Sequence, residues 1–404
     1  MNSEMKIGGF SQFALWFGAA VSLAEIMTGS LLAPLGLKTG IIVILLGHLI
    51  GTLILSLTGI IGFNEKKPSL ISSRLSLGTY GSYIVSLFNI VQLIGWTAIM
   101  MIQCTRSLQS LTGNIPGISN FTVLVIVTGV LVGIWALTMD KGISLINNIA
   151  VILLLGLSVI MLAVFLGGES AKPVSGAISL GAALELSIVM PLSWVPLISD
   201  YTMAGKTLKG SFMGSFAGYF LGSSFMYIVG LVFAIYSGSS DPIGVLGSLN
   251  MGLAVLLIVI LSTVTTTFLD VYSAVMSTLN LSAKLNRKHL IIIFTALGTG
   301  LAIFFPMERY ESFLYMIGSL FAPAFSIILT DYFLYRQNRS GSLFNIPGII
   351  AMVVGIFTYY KVINLDLVIG STIPSMLITV FVYAVLRVVF DTALHRVDLA
   401  KEHS

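Results

Sequence analysis

Charge is what this chain has least of. Only 9% of its 404 residues are charged, 20 Lys and Arg against 16 Asp and Glu. Soluble domains carry about 25%. A water-facing surface cannot be built from so few charges, so the composition excludes a soluble globular protein. Cysteine is nearly absent. Cys104 alone excludes an intrachain disulfide and reads as a small packed residue. His and Cys are too few for a metal centre, and no His-x-x-x-His pair or nucleophile–base set is evident. The net charge of +4 is spread over short loops, which argues for membrane orientation and against nucleic acid. The first twelve residues hold one Lys and no small-residue cleavage site, and the apolar stretch after them is too long for a signal peptide. It is expected to stay as a helix.

What is present is apolar length. The chain is 56% hydrophobic, with mean hydropathy +1.02. Runs near 20 residues, enough to span a bilayer, fall at about 13–35, 40–62, 84–105, 121–138, 145–167, 183–199, 211–236, 252–283, 289–306, 310–335, 346–360 and 367–388. The fold class expected is an all-α polytopic membrane protein of about twelve transmembrane helices. With the N-terminus inside, only Lys38, Arg106, Lys172, Arg309 and Lys361 fall outside, and the other fifteen Lys and Arg fall inside. That bias follows the positive-inside rule and places both termini in the cytoplasm of a cell-membrane protein. Residues 73–82 read as a short interfacial segment with turns at Gly78 and Gly81.

Polar residues inside the spans carry the functional signal. Glu25 lies halfway along the apolar stretch from Phe13 to Leu35. An acid at the bilayer centre costs about 2.5–3.5 kcal/mol on the insertion scale. Such a residue persists where it faces a polar cavity, a partner or a proton path. Ser22, Glu25 and Thr28 are three apart and share a face. Gly29 and Pro34 weaken that helix toward its far end. In the sixth helix Pro191 and Pro196 remove two backbone donors around Ser193 and Trp194. Broken helices at positions one and six point to two five-helix repeats of opposite orientation, 13–167 and 183–335, with 346–390 adding two helices. That plan places a site at the midplane between the repeats. The third helix offers Gln92 and Trp96, four apart, and the eighth offers Ser262, Thr265, Thr266, Thr267 and Asp270. Flat heteroaromatic solutes want an aromatic face and an amide or carboxylate at the ring edge. A hard cation wants carbonyl and hydroxyl oxygens.

Four motifs in order resemble one family. They are Arg74-x-Ser76-x-Gly78-x-x-Gly81-Ser82-Tyr83; Gln92 to Trp96 with Gly95 between; Ser199-Asp200-Tyr201; and Pro323 through Asp331-Tyr332-Phe333-Leu334-x-Arg336. The chain resembles the nucleobase:cation symporter-1 family over nearly its whole length, and within it the hydroxymethylpyrimidine permease branch. The resemblance implies a leucine-transporter-like fold of five plus five inverted helices with two added. It implies cation-coupled import of a pyrimidine, with Na⁺ or H⁺ as coupling ion and no other cofactor. It implies a cation held by the carbonyls of Val21, Ala24 and Ser262 and the hydroxyls of Thr265 and Thr266. The solute site it implies falls on Gln92, Trp96, Ser193 and Trp194, and the deep acids Glu25 and Asp270 are expected to join it. The partners expected are a small-molecule pyrimidine, the cation and the bilayer, with no nucleic acid and no obligate protein partner. Glu25 marks the branch, and Asp270 stands where relatives often carry an amide. A carboxylate at Glu25 can accept from the exocyclic amine of a 4-aminopyrimidine and, carrying a proton, donate to the ring nitrogen.

Other readings are open on the residues alone. Cytosine, a purine or a hydantoin-like solute would use the same groups. A channel would not need two broken helices in inverted halves, and no chemistry-bearing set supports a membrane enzyme. Each membrane Thr can bond its own i−4 carbonyl, and Gln92 can glue helices. His48 reads as a packing residue. Gly214, Gly218 and Gly222 read as a close helix contact, and Asp200 and Asp331 as loop anchors.

Overall fold

The computed structural model describes residues 6–112, 119–138, 143–168, 171, 172, 174, 176–239 and 252–402. Helices α1 (Gly9–Ala20) and α2 (Leu23–Leu31) form one bent span. Next come α3 (Gly36–Glu65), α4 (Ser69–Ser72), α5 (Arg74–Thr112), α6 (Phe121–Thr138) and α7 (Ile143–Gly168). The rest are α8 (Leu180–Leu192), α9 (Ile198–Thr202), α10 (Leu208–Ser237), α11 (Gly252–Leu281), α12 (Arg287–Phe304), α13 (Tyr310–Thr330), α14 (Ile346–Ile363) and α15 (Thr372–Glu402). Among the described residues eleven helices are long and apolar enough to cross a membrane, and the bent α1–α2 pair makes twelve. No strand occurs among them; one isolated bridge joins Ile7 and Gly205.

Several boundaries differ from the sequence expectation. The first span begins at Gly9 rather than residue 13, and it breaks at Val21–Ser22 with a bend of 61°. The break is not at Gly29 and Pro34. Ser22 turns extended (φ −143°, ψ 158°) and its side chain accepts from the Glu25 N–H, restarting the helix. Gly29 lies within α2, where its lack of a Cβ lets the Tyr227 backbone approach closely. Pro34 sits in a 3₁₀ turn leading into α3. The 73–82 segment is helical except at Gly78 (φ 77°), so Gly81 makes no turn. At Gly78 the 342–343 backbone approaches within 3.0 Å of where a Cβ would lie, and Thr79 and Tyr80 N–H donate to Ser342 and Leu343 carbonyls. The last two spans run further than expected, to Ile363 and Glu402.

The helices form two groups. The α1–α2 span packs on α10, α10 on α3, and α3 on α8. In the second group α5 packs on α11 and α12, and α6 on both of these. Two apolar clusters fill the interior, one including Trp16, Ile44, Leu186 and Tyr219 and reaching Trp96, Ile99 and Met100 of α5, the other Leu93, Val125, Phe268 and Phe294. Trp194 packs against both. Small residues set the spacing in the first group. Gly214, Gly218 and Gly222 of α10 lie against the Gly9, Phe13 and Phe17 carbonyls, leaving no room for a Cβ. In the second group polar pairs join α5 to α11: Arg74 donates to Asn280 Oδ1 at 2.8 Å and Asn89 to Ser277 at 2.8 Å.

Candidate functional site

A cavity lies where the two groups meet. The broken span contributes Ala19, Ser22, Ala24 and Glu25; α5 contributes Leu93, Trp96 and Met100; α11 contributes Thr266 and Asp270. The second broken helix adds Met190, Ser193, Trp194 and Leu197. That helix runs as α8, a 3₁₀ turn at Val195–Leu197 and α9. Pro191 and Pro196 supply no N–H; Pro191 lies in the last turn of α8, and Pro196 lies in the 3₁₀ turn where the helix type changes. The site is thus built from the backbone breaks of one group and the continuous helices of the other.

Five of the six residues expected to meet the solute line this cavity: Glu25, Trp96, Ser193, Trp194 and Asp270. Gln92 does not. It is fully buried behind the wall, where its Nε2 donates to the Ser193 carbonyl at 2.8 Å and to Asn89 Oδ1 at 2.8 Å. A helix places residues four apart on one face, yet of this pair only Trp96 lines the open space. Gln92 therefore satisfies a carbonyl freed by the helix break. The Ser193 hydroxyl turns back to the Met190 carbonyl at 2.7 Å. The Trp96 indole is held edge-on by Phe313 (5.3 Å between ring centres) and Tyr310 (6.3 Å). Trp194 is held by Trp16 (5.9 Å) and Tyr219 (6.4 Å). Both indoles are braced by aromatics behind them and keep a surface on the cavity.

The two carboxylates differ in their surroundings. Asp270 is buried and lines the cavity, and no hydrogen-bond partner of its carboxylate is found among the described residues. Glu25 is buried and firmly held. Tyr219 donates to its Oε1 at 2.9 Å, and Ser223 Oγ lies 2.7 Å from its Oε2. Ser223 Oγ is also 2.5 Å from His48 Nε2, and His48 Nδ1 is 2.8 Å from the Ile44 carbonyl. Tyr219, Ser223 and His48 were not expected at the site. His48 is more than packing, because it is linked to Glu25 through one hydroxyl. The spacing of Tyr219 and Ser223, one turn apart on α10, was the available sign. Ser223 and His48 are also a nucleophile–base pair that the sequence alone did not reveal. Neither lines the cavity, and both are fully buried, so they do not reach a bound solute.

Of the residues implied for a cation, Ala24 and Thr266 line the same cavity. Val21 sits at the break itself, buried, and Ser262 is buried one turn from Thr266. The Ala24 carbonyl accepts from Thr28 Oγ1 at 2.7 Å. The Thr265 side chain lies outside the described residues. Among the described residues no cluster of three His, Cys, Asp or Glu could hold a metal. Ala24 and Thr266 thus share the cavity wall with two carboxylates, Glu25 and Asp270.

Comparison with known proteins agrees with this architecture. The family model for permeases of cytosine/purines, uracil, thiamine and allantoin matches residues 2–382. Cytosine permease of Escherichia coli (strain K12) is 25% identical over 303 residues, 73% of this chain and 70% of that protein. The putative purine-cytosine permease YxlA of Bacillus subtilis (strain 168) is 25% identical over 400 residues, 89% of this chain and 85% of that one. Among solved structures, Mhp1 is similar, a nucleobase-cation-symport-1 family transporter in a closed conformation with bromovinylhydantoin bound. It superposes with TM-score 0.80 at 18% identity, covering 96% of this chain and 94% of that one. A Na⁺-coupled sialic acid symporter in a substrate-bound outward-open state gives 0.67 at 14% identity, covering 94% and 88%. These structures share the fold.

Proposed function

This chain belongs to the permease family for cytosine/purines, uracil, thiamine and allantoin, and from that premise we propose that it imports hydroxymethylpyrimidine by cation-coupled symport across the cell membrane. The observation that carries the reading is Glu25, a carboxylate lining a cavity that also holds two indoles and Asp270, whose carboxylate has no partner among the described residues. A flat ring between Trp96 and Trp194 gains aromatic contact. Its exocyclic amine donates to Glu25. Both Glu25 oxygens already have a protein partner, so in this arrangement the carboxyl accepts from the solute and does not donate to the ring. Leu93, Met100, Met190 and Leu197 complete the walls, and an apolar wall suits a methyl-bearing ring edge better than a ring carbonyl. The coupling ion is Na⁺ held near Val21, Ala24, Ser262, Thr265 and Thr266, or a proton held at Glu25. Residues 13–167 and 183–335 act as the two opposed halves, supported by breaks in the first helix of each, and 346–390 as an added pair. The charge bias supports both termini being cytoplasmic.

Cytosine is the second reading. It presents the same amine beside a ring nitrogen, and cytosine permeases are among the relatives. Uptake of labelled hydroxymethylpyrimidine into cells or vesicles, with and without Na⁺ and with unlabelled cytosine as competitor, separates the two. Saturable uptake that cytosine barely competes is the expected result. Uptake of cytosine without uptake of hydroxymethylpyrimidine would overturn the substrate and leave the fold untouched.

A further inference from the structure

Hydrogen-bond counting around Glu25 leads further. The Ile44 carbonyl can only accept, so His48 Nδ1 carries a hydrogen and donates to it at 2.8 Å. Ser223 has one hydrogen for two short contacts, to Glu25 Oε2 at 2.7 Å and to His48 Nε2 at 2.5 Å. With Glu25 ionised and His48 neutral, one of these contacts would bring two lone pairs together in a buried site. One added proton removes the conflict, and it can sit in two places. On Glu25, the carboxyl donates to Ser223 and Ser223 donates to Nε2. On His48, Nε2–H donates to Ser223 and Ser223 donates to the carboxylate.

We propose that Glu25, Ser223 and His48 form a buried relay holding one shared proton, which passes from Glu25 to His48 when a solute amine binds. The step balances within the protein. The Oε2–H bond breaks as a new bond forms at Ser223 Oγ, the Ser223 O–H bond breaks as Nε2–H forms, and a neutral pair becomes a carboxylate–imidazolium pair. Its driving force is that a carboxylate accepts a hydrogen bond from an amine more strongly than a neutral acid does. Glu25 faces the cavity, while Ser223 and His48 lie behind it, so a solute reaches only one end of the relay. This role rests on the reading above that an amine-bearing solute occupies the cavity.

The neighbouring titratable groups leave the relay intact. From α10, Tyr219 donates to Glu25 Oε1, and the Tyr227 ring meets the His48 ring edge-on at 4.5 Å. From α13, Tyr310 pairs with Thr28 at 2.7 Å. From α11, Asp270 lies on the cavity wall. From α8, Glu185 is engaged by Tyr359 and the start of α15.

The test reads the His48 ring directly. His289, His395 and His403 are replaced by Gln, and the ring ¹⁵N signals of the remaining histidine are followed with pH in purified full-length protein. Glu25→Gln and Ser223→Ala are compared with the parent, and thermal melting confirms that each is folded. In the parent, Nδ1 is expected to stay protonated, and addition of cytosine or hydroxymethylpyrimidine is expected to move Nε2 to the protonated position. In Glu25→Gln and in Ser223→Ala that solute-driven shift is expected to vanish. A His48 titration that is the same with Glu25 and with Gln at that position would overturn the relay, even if both probes bind. If neither probe binds, a titration that still changes on Glu25→Gln supports the shared proton, and the pyrimidine-substrate reading alone is lost.

Discussion

Asp270 and Glu25 show how differently a membrane protein treats two buried acids. Glu25 is stabilised in place by Tyr219 and Ser223 before any solute arrives. Asp270 faces the cavity without a protein donor among the described residues, so its hydrogen-bonding capacity is open to a ligand. A hydrogen bond to a charged group contributes about 1.5–3 kcal/mol. Asp270→Asn is therefore expected to raise the apparent KM for the transported pyrimidine on the order of tenfold, since about 1.4 kcal/mol is a factor of ten. Initial-rate uptake over a range of solute concentrations checks this, and an unchanged KM would remove Asp270 from the site. Gln92 is a contrasting case. Its amide holds the Ser193 carbonyl, so Gln92→Leu is expected to lower the melting temperature as well as uptake. A variant with wild-type stability and lost binding would instead place Gln92 on the solute.

At the scale of elements, one heavily bonded side chain lies away from the cavity. Glu185 of α8 accepts from Tyr359 of α14 at 2.6 Å, from the Ser371 and Thr372 N–H groups at 2.7 and 2.8 Å, and from the Thr372 hydroxyl at 2.6 Å. The two N–H groups open α15, where a helix start favours negative charge. The added pair of helices is thereby fastened to the half-helix that carries Ser193 and Trp194. Glu185→Ala leaves four buried donors without this acceptor and is expected to cost about 3 kcal/mol or more, read as a lower melting temperature in detergent. Near-native stability of that variant would mean that the α15 start finds other partners. Tight helix contact is the second device. Gly218→Leu would force α10 away from the Phe13 carbonyl. Overpacking costs about 1–3 kcal/mol, and because α10 carries Tyr219 and Ser223, uptake is expected to fall with it.

For the whole molecule, the candidate site lies where the two groups of helices meet, and Trp194 packs against both apolar clusters there. The outer surface is apolar, with Leu46, Leu53, Val130, Ile134 and Ile152 exposed along helix faces that meet lipid. The proposed orientation has a direct check. Ser340 and Leu365 are both exposed and lie in successive loops. In a Cys104→Ser background, an impermeant maleimide added to intact cells is expected to label Leu365→Cys and not Ser340→Cys. The reverse pattern would invert the topology.

Hydropathy alone determined the class, the number of spans and the approximate place of each, because the bilayer requires long apolar helices whatever their packing. It also located the costly residues Glu25 and Asp270 and the proline-broken sixth helix. Tertiary structure decided where the first helix breaks, because an extended Ser22 caps the next helix whereas Gly29 and Pro34, the apparent breakers, serve packing and a turn. It decided that Gln92 faces a freed carbonyl and not the cavity. It joined Ser223 to Glu25 across 198 residues of chain and to His48 across 175. Periodicity within one helix reports which residues share a face; which neighbour that face meets depends on how separate helices pack, and no local pattern encodes it.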